Sequence, residues 1–223
     1  MSLADAPALF PEGLLGLIFD VDGVLLDSRA SNISFYNQVR DALGFPPLSL
    51  EEEDYCHMAS VEEALARIIP RSRLGEAAEA CRRIDYRKRI LPLLKPEPGM
   101  PEALRWLRRQ GVRLAVCTNR SDSVAEVFRY FGLETFFNPV KTVDNSPPKP
   151  SPAGLLDVVR AWGVSRRQIA FVGDSSVDMR AAEAGGIPFW AFRNPDLPAQ
   201  ARCADFFALL ALAAPLVEGG GLP

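Results

Sequence analysis

The sequence predicts an α/β fold, a Rossmann-like parallel sheet core with helices on both faces and an inserted α-helical cap domain. Three observations carry this. Short apolar runs with few charges recur at 15–19, 113–117, 168–172 and 187–192, as in strands covered on both faces. Amphipathic helical patterns alternate with them. Finally, about 85 residues separate Asp27 from Arg113, where a parallel crossover needs only a dozen or more.

That long gap reads as helical throughout. Ile33, Tyr36, Val39 and Leu43 fall near one face before Gly44, and Ser60 with Glu63 forms a capping box ahead of Val61, Leu65, Ile68 and Ile69. A third helix is expected over 74–91, with no strand pattern anywhere in the interval. The domains are therefore 1–28 with 97–223 as the core, and 29–96 as the helical cap. KPEPGM, at 95–100, is the return hinge. Beyond it, Pro101 opens a helix carrying Ala103, Leu104 and Leu107 and stopped by Gly111. Ser123 and Glu126 form a capping box before Val124, Val127, Phe128 and Phe131. Ser151-Pro152 starts a helix with Leu155, Leu156 and Val159, closed by Gly163. FFALLALAAPLV near the end is too short to span a bilayer and reads as a packed final helix. The Gly219-Gly220-Gly221 tail is expected to be disordered.

Composition excludes several classes. Of 223 residues, 48% are apolar and 24% charged, ordinary for a soluble globular protein. A net charge of −3 gives no electrostatic footprint for nucleic acid or an anionic membrane. Cys56, Cys81, Cys117 and Cys203 are scattered and read as reduced thiols. The opening MSLADAPALFPEG lacks a basic n-region and a long apolar h-region, so the expected location is cytoplasmic.

The chemistry begins in LIFDVDGVLLDS, where the first strand ends in Asp20 and Asp22. Ligand crevices of open α/β sheets lie beyond the carboxyl ends of the strands. Residues two apart in extended chain point the same way, and two such carboxylates repel unless one is protonated or a cation lies between them. A calcium loop would need Gly and Glu where Leu25 and Ser31 stand, which excludes it. Three later strand ends add to the set. Thr118 and Asn119 precede a helix, where hydroxyl and backbone N–H groups can hold an anion. Lys149 stands between prolines in a stiff loop. Gly173-Asp174 ends a strand, with Asp178 one helical turn on.

Together DVDGV, CTN, a lysine before proline and GDSSVD resemble the haloacid-dehalogenase-like superfamily, especially its phosphoglycolate-phosphatase and β-phosphoglucomutase branch. The resemblance implies a Mg²⁺-dependent phosphatase acting on a small phosphorylated metabolite, phosphoglycolate or a sugar phosphate. It implies Asp20 as the nucleophile that becomes an aspartyl phosphate. Asp22 would be the acid/base, and its carbonyl a metal ligand. Thr118 and the Asn119 amide would hold the phosphoryl oxygens, and Lys149 would neutralise nucleophile and phosphate. Asp174 would complete the magnesium site, with Asp178 as a ligand or its support. These residue types suit the reaction, because a phosphate dianion approaches a carboxylate only when positive charge is supplied.

Asp22 disfavours dehalogenation, which has no leaving alkoxide to protonate. The phosphonate hydrolases use a lysine early in the cap, whereas the lysines here, Lys88 and Lys95, are late. The mutase alternative is weakened by Asn32, where that branch carries a histidine. A non-catalytic phosphate-binding regulator would be expected to have lost one of Asp20, Asp22, Lys149 or Asp174. His57, the one histidine, falls in CHMAS between two cap helices and is the cap's candidate substrate contact. The basic residues of 67–95 read mainly as solvated helix surface.

Overall fold

The structure, a computed structural model, describes residue 10, residues 13–121 and residues 123–218. The glycine tail lies outside them. The chain divides into two compact units, Met1–Leu25 with Pro96–Pro223, and Leu26–Lys95.

In chain order the strands are β1 (Gly16–Phe19), β2 (Leu26–Asp27), β3 (Lys95–Pro96), β4 (Arg113–Cys117), β5 (Val140–Lys141), β6 (Ile169–Gly173), β7 (Phe189–Phe192) and β8 (Ala201–Cys203). Six of them form one sheet in the order β5-β4-β1-β6-β7-β8, and neighbours run parallel. Three of the expected strands start later than their apolar runs, at Gly16, Ile169 and Phe189. β5 and β8 have two and three residues, too few to show a period, and were not legible in the sequence.

Side chains alternate across the sheet. Ile18, Ala115 and Phe171 face one layer, where Leu155, Val158, Ala181 and Ala182 of the helices Ala153–Trp162 and Ser176–Gly185 cover them. On the opposite face Phe19 stacks on Phe206, ring centroids 6.3 Å apart, at the start of the final helix Phe206–Glu218. That apolar segment is thus a packed helix. Among the described residues no helix is long and apolar enough to cross a membrane.

Phe19 lies in register with Val116 on one side and Val172 on the other. The chain steps outward from β1 through β4 to β5, then returns across β1 to β6. β1 is therefore the point where strand order reverses, and the carboxyl ends of β4, β1 and β6 open together there.

The second unit is helical. Its core gathers Tyr36, Val39 and Leu43 with Cys56, Leu65, Ile68 and Ala77 from helices Arg29–Ala42, Leu50–Met58, Val61–Ile68 and Leu74–Arg83. Ser60 caps its helix as expected, accepting from Glu63 N at 3.3 Å while Glu63 Oε2 accepts from Ser60 N at 3.0 Å. Three local expectations need correction. The helix expected over 74–91 breaks after Arg83, because Asp85 caps a new short helix, Tyr86–Arg89. β3 falls at the end of an interval read as free of strands, where Lys95–Pro96 pairs with Leu26–Asp27. Outside this unit, Ser123 is the first residue of helix Ser123–Phe131 rather than its cap.

Candidate active site

The β1 end brings the predicted core residues together. Asp20 N donates to Val172 O at 3.0 Å, which continues the ladder one residue past the strand and points the side chain off its end. Asp20 Oδ1 accepts from Val21 N at 2.7 Å and lies 2.9 Å from Lys149 Nζ. The carboxylates of Asp20, Asp174 and Asp178 offer oxygens within 4.8 Å of one another.

Lys149 is buried, its Nζ donating to Asp178 Oδ1 at 2.5 Å and reaching over the ring of Phe171. Asn119 fixes the loop that carries it: Oδ1 accepts from Lys149 N at 2.7 Å, and Nδ2 donates to Lys149 O at 3.1 Å. The Asn119 side chain is thus a clamp on the lysine loop. Thr118 sits beside it with Oγ1 accepting from Arg120 N at 3.2 Å.

Asp178 is fully engaged. Its Oδ2 accepts from Ser175 N at 3.2 Å and Ser175 Oγ at 2.6 Å, closing a capping box at the start of its helix, while Oδ1 holds the lysine. That arrangement favours support over direct ligation. Asp174 is steadied from behind by Asn194 Nδ2, which donates to its carbonyl at 2.9 Å.

Charge at the site is unbalanced. Burial, reinforced by Asp178 and Asp22 and opposed by Lys149, pushes the Asp20 carboxyl up to about 7. Burial, with Asp178 and Asp20, holds Asp174 well above the carboxylate range. Burial alone would lower the Lys149 ammonium, but Asp178 and Asp20 outweigh it and raise it. One lysine thus serves a cluster with more negative charge than it neutralises. An all-oxygen donor set with excess negative charge suits a hard cation such as Mg²⁺.

Two features went unseen in the sequence. Arg120 grips Asp22 in a two-bond fork, Nε donating to Oδ2 and Nη2 to Oδ1, both at 2.6 Å. Ser175 and Asn194 orient Asp178 and Asp174. A Ser-x-x-Asp capping spacing could have revealed Ser175, but no local signal links Arg120 to a residue 98 positions away. His57 lies in the last turn of helix Leu50–Met58 in the helical unit, not in a loop, with Nδ1 3.1 Å from Asn32 Nδ2.

Gly23 is where backbone conformation matters most. Its φ is +74°, and a Cβ there would lie 2.0 Å from Asp174 Oδ2. Gly23→Ala is expected to cost roughly 2 kcal/mol or more in left-handed strain and displacement of Asp174, about 4–8 °C in Tm. Any reaction carried out at this site should slow with it. Thermal unfolding and steady-state rates check this, and a variant as stable and active as wild type would contradict the geometry.

Residues 17–192 match the family model for haloacid dehalogenase-like hydrolases. The chain belongs to that family. It is 35% identical over 189 residues to the phosphoglycolate phosphatase of Pseudomonas putida, covering 80% of this chain and 70% of that one. The phosphoglycolate phosphatase of Cereibacter sphaeroides (strain ATCC 17029 / ATH 2.4.9) is 30% identical over 187 residues, 79% of this chain and 84% of that one. Among solved structures, a HAD-superfamily hydrolase of subfamily IA, variant 1, from Geobacter sulfurreducens PCA superposes with a TM-score of 0.78. It is 38% identical, over 89% of this chain and 99% of that one. The protein is accordingly a phosphatase of the haloacid dehalogenase-like family, a phosphoric monoester hydrolase.

Proposed function

We propose that this phosphatase is Mg²⁺-dependent, works in the cytoplasm through an aspartyl phosphate on Asp20, and hydrolyses a small phosphorylated metabolite, phosphoglycolate or a sugar phosphate. The observation that supports it most is the pairing of Asp20 Oδ1 with Lys149 Nζ at 2.9 Å beside Asp174. With Oδ1 engaged by Lys149 and Val21 N, attack on phosphorus is assigned to Oδ2. The names of the phosphoglycolate phosphatase relatives support the substrate class.

In this reading Asp20 Oδ2 forms a bond to phosphorus as the ester P–O bond breaks, and Asp22 passes a proton to the leaving oxygen. Thr118 Oγ1 and the Asn119 N–H hold the equatorial oxygens, and Lys149 offsets their charge. Water then attacks phosphorus, gives its proton to Asp22, and breaks the bond to Asp20. Asp20, Asp174 and the Asp22 carbonyl, with Asp178 in support, would hold magnesium, which would supply the remaining positive charge. The helical unit, Leu26–Lys95, is assigned the role of cap and of substrate selection, with His57 as its first candidate contact.

The test is phosphate release from a panel of phosphorylated metabolites. Release should vanish in excess chelator and return with Mg²⁺. The metal should also stabilise the fold in a pH-dependent way. In metal-free protein Asp20 titrates at about 7, above its ordinary 3.8. The stability it contributes is complete below the ordinary value and lost as pH rises through about 7. Bound cation replaces the proton, so the Tm gain with Mg²⁺ should be larger at pH 8 than at pH 6. Full turnover in chelator, or a gain larger at pH 6, would refute the metal assignment.

A further inference from the structure

We propose that Arg120 reads a carboxylate on the substrate, and that this contact releases Asp22 from the arginine fork for proton transfer. The proposal rests on the phosphatase reading above and narrows its substrate class to phosphomonoesters with a second negative group near the ester oxygen.

The geometry is the starting point. Both oxygens of Asp22 are held by Arg120 at 2.6 Å, with the two side chains largely buried. A group that moves a proton must come within about 2.6–3.2 Å of the oxygen it serves. While both oxygens lie in the fork, the carboxylate is committed to the guanidinium and not to the leaving group.

Arg120 is itself well placed for a second task. Its main chain is pinned on both sides, N donating to Thr118 Oγ1 at 3.2 Å and O accepting from Val143 N at 3.1 Å. It therefore stands two residues from Thr118, at the β4 end where the phosphoryl group is expected. The neighbouring cation, Lys149, is committed to Asp20 and Asp178, so a second anion on the substrate falls to Arg120. A planar fork matches a carboxylate with two parallel bonds, a fit that a hydroxyl does not reproduce. The incoming carboxylate takes the place of Asp22, and Asp22 turns to the leaving oxygen. Binding energy from a remote part of the substrate thereby raises the rate of the chemical step.

The experiment compares 2-phosphoglycolate with its neutral analogue 2-hydroxyethyl phosphate. Wild type should prefer the carboxylated ester by about 10- to 100-fold in kcat/KM, with part of the preference in kcat. Arg120→Gln should bring the ratio close to one, and Arg120→Lys, which keeps charge without the fork, should restore part of it. A merely structural arginine would lower both substrates in parallel. An unchanged ratio in Arg120→Gln, no wild-type preference, or a preference wholly in KM would each overturn the proposal.

A second measurement does not depend on Arg120 variants folding. In an Asp20→Asn background, which blocks chemistry, adding Asp22→Asn removes the internal carboxylate from the fork. Calorimetry should then show about tenfold tighter binding of 2-phosphoglycolate and little change for the neutral ester. Equal or weaker binding would overturn the exchange. If Asp20→Asn still turns over, the covalent reading fails, while the substrate ratio still judges Arg120.

Discussion

Asp20→Asn is expected to abolish turnover and phosphoenzyme alike, with a loss of at least about 10⁴-fold in kcat. An amide is no nucleophile toward phosphorus, and it removes one of the two partners of Lys149 and a proposed ligand for the cation. The loss should be chemical rather than structural. Burial, opposed by Lys149 and reinforced by Asp178 and Asp22, already disfavours the charged form of Asp20, and Lys149 keeps Asp178 as its partner, so a neutral isostere should fold with a similar Tm. Asp22→Asn should behave differently. In the proposed mechanism it keeps the nucleophile and loses the proton carrier, worth roughly 10²–10⁴-fold. A good leaving group such as nitrophenolate needs little protonation, so with it the first step survives and the aspartyl phosphate accumulates. Mass spectrometry should find the added phosphate on Asp20 in that variant. Phosphate on Asp22 in the wild type would reverse the assigned roles.

Lys149→Met should be the most destabilising single change at the site. It leaves Asp20 and Asp178 buried without the cation they share. Breaking a buried pair by removing one partner costs about 3–5 kcal/mol, or roughly 6–20 °C in Tm for a chain of this size. Activity should fall on the order of 10³-fold, because the phosphoryl group would meet uncompensated carboxylates. Millimolar Mg²⁺ should recover part of the stability and little of the rate, since it neutralises the cluster but does not stand where the ammonium stood. Thermal unfolding with and without the metal, alongside kcat/KM, separates the two effects. An unchanged Tm would mean that the aspartates do not depend on the lysine for their charge balance.

The placement of the site residues at strand ends was legible because it is written locally. Asp20, Thr118 and Asp174 each follow a buried apolar run, and in a parallel sheet every strand presents its carboxyl end on one side. Short turn and cap signals were equally plain, as at Ser60 with Glu63. Signals failed where the structure uses few residues or distant ones. β5 and β8 are too short to show a period, and they form because they extend a sheet already in place at β4 and β7. Ser123 has the capping spacing, yet the helix takes it in as its first residue.

The sequence by itself determined which residue types stand at the strand ends, because strand-end placement needs only periodicity and spacing. The motifs they form carried the resemblance to the family and the reaction it implies. Tertiary structure decided what each group touches. It bent Asn119 into a clamp on Lys149, turned Asp178 toward Ser175 and the lysine, and put Asp22 in the grip of Arg120. Apart from the local cap between Asp178 and Ser175, those pairings join residues far apart in the chain that the fold brings side by side. A side chain's partner is then set by distance in space, which spacing along the chain does not encode.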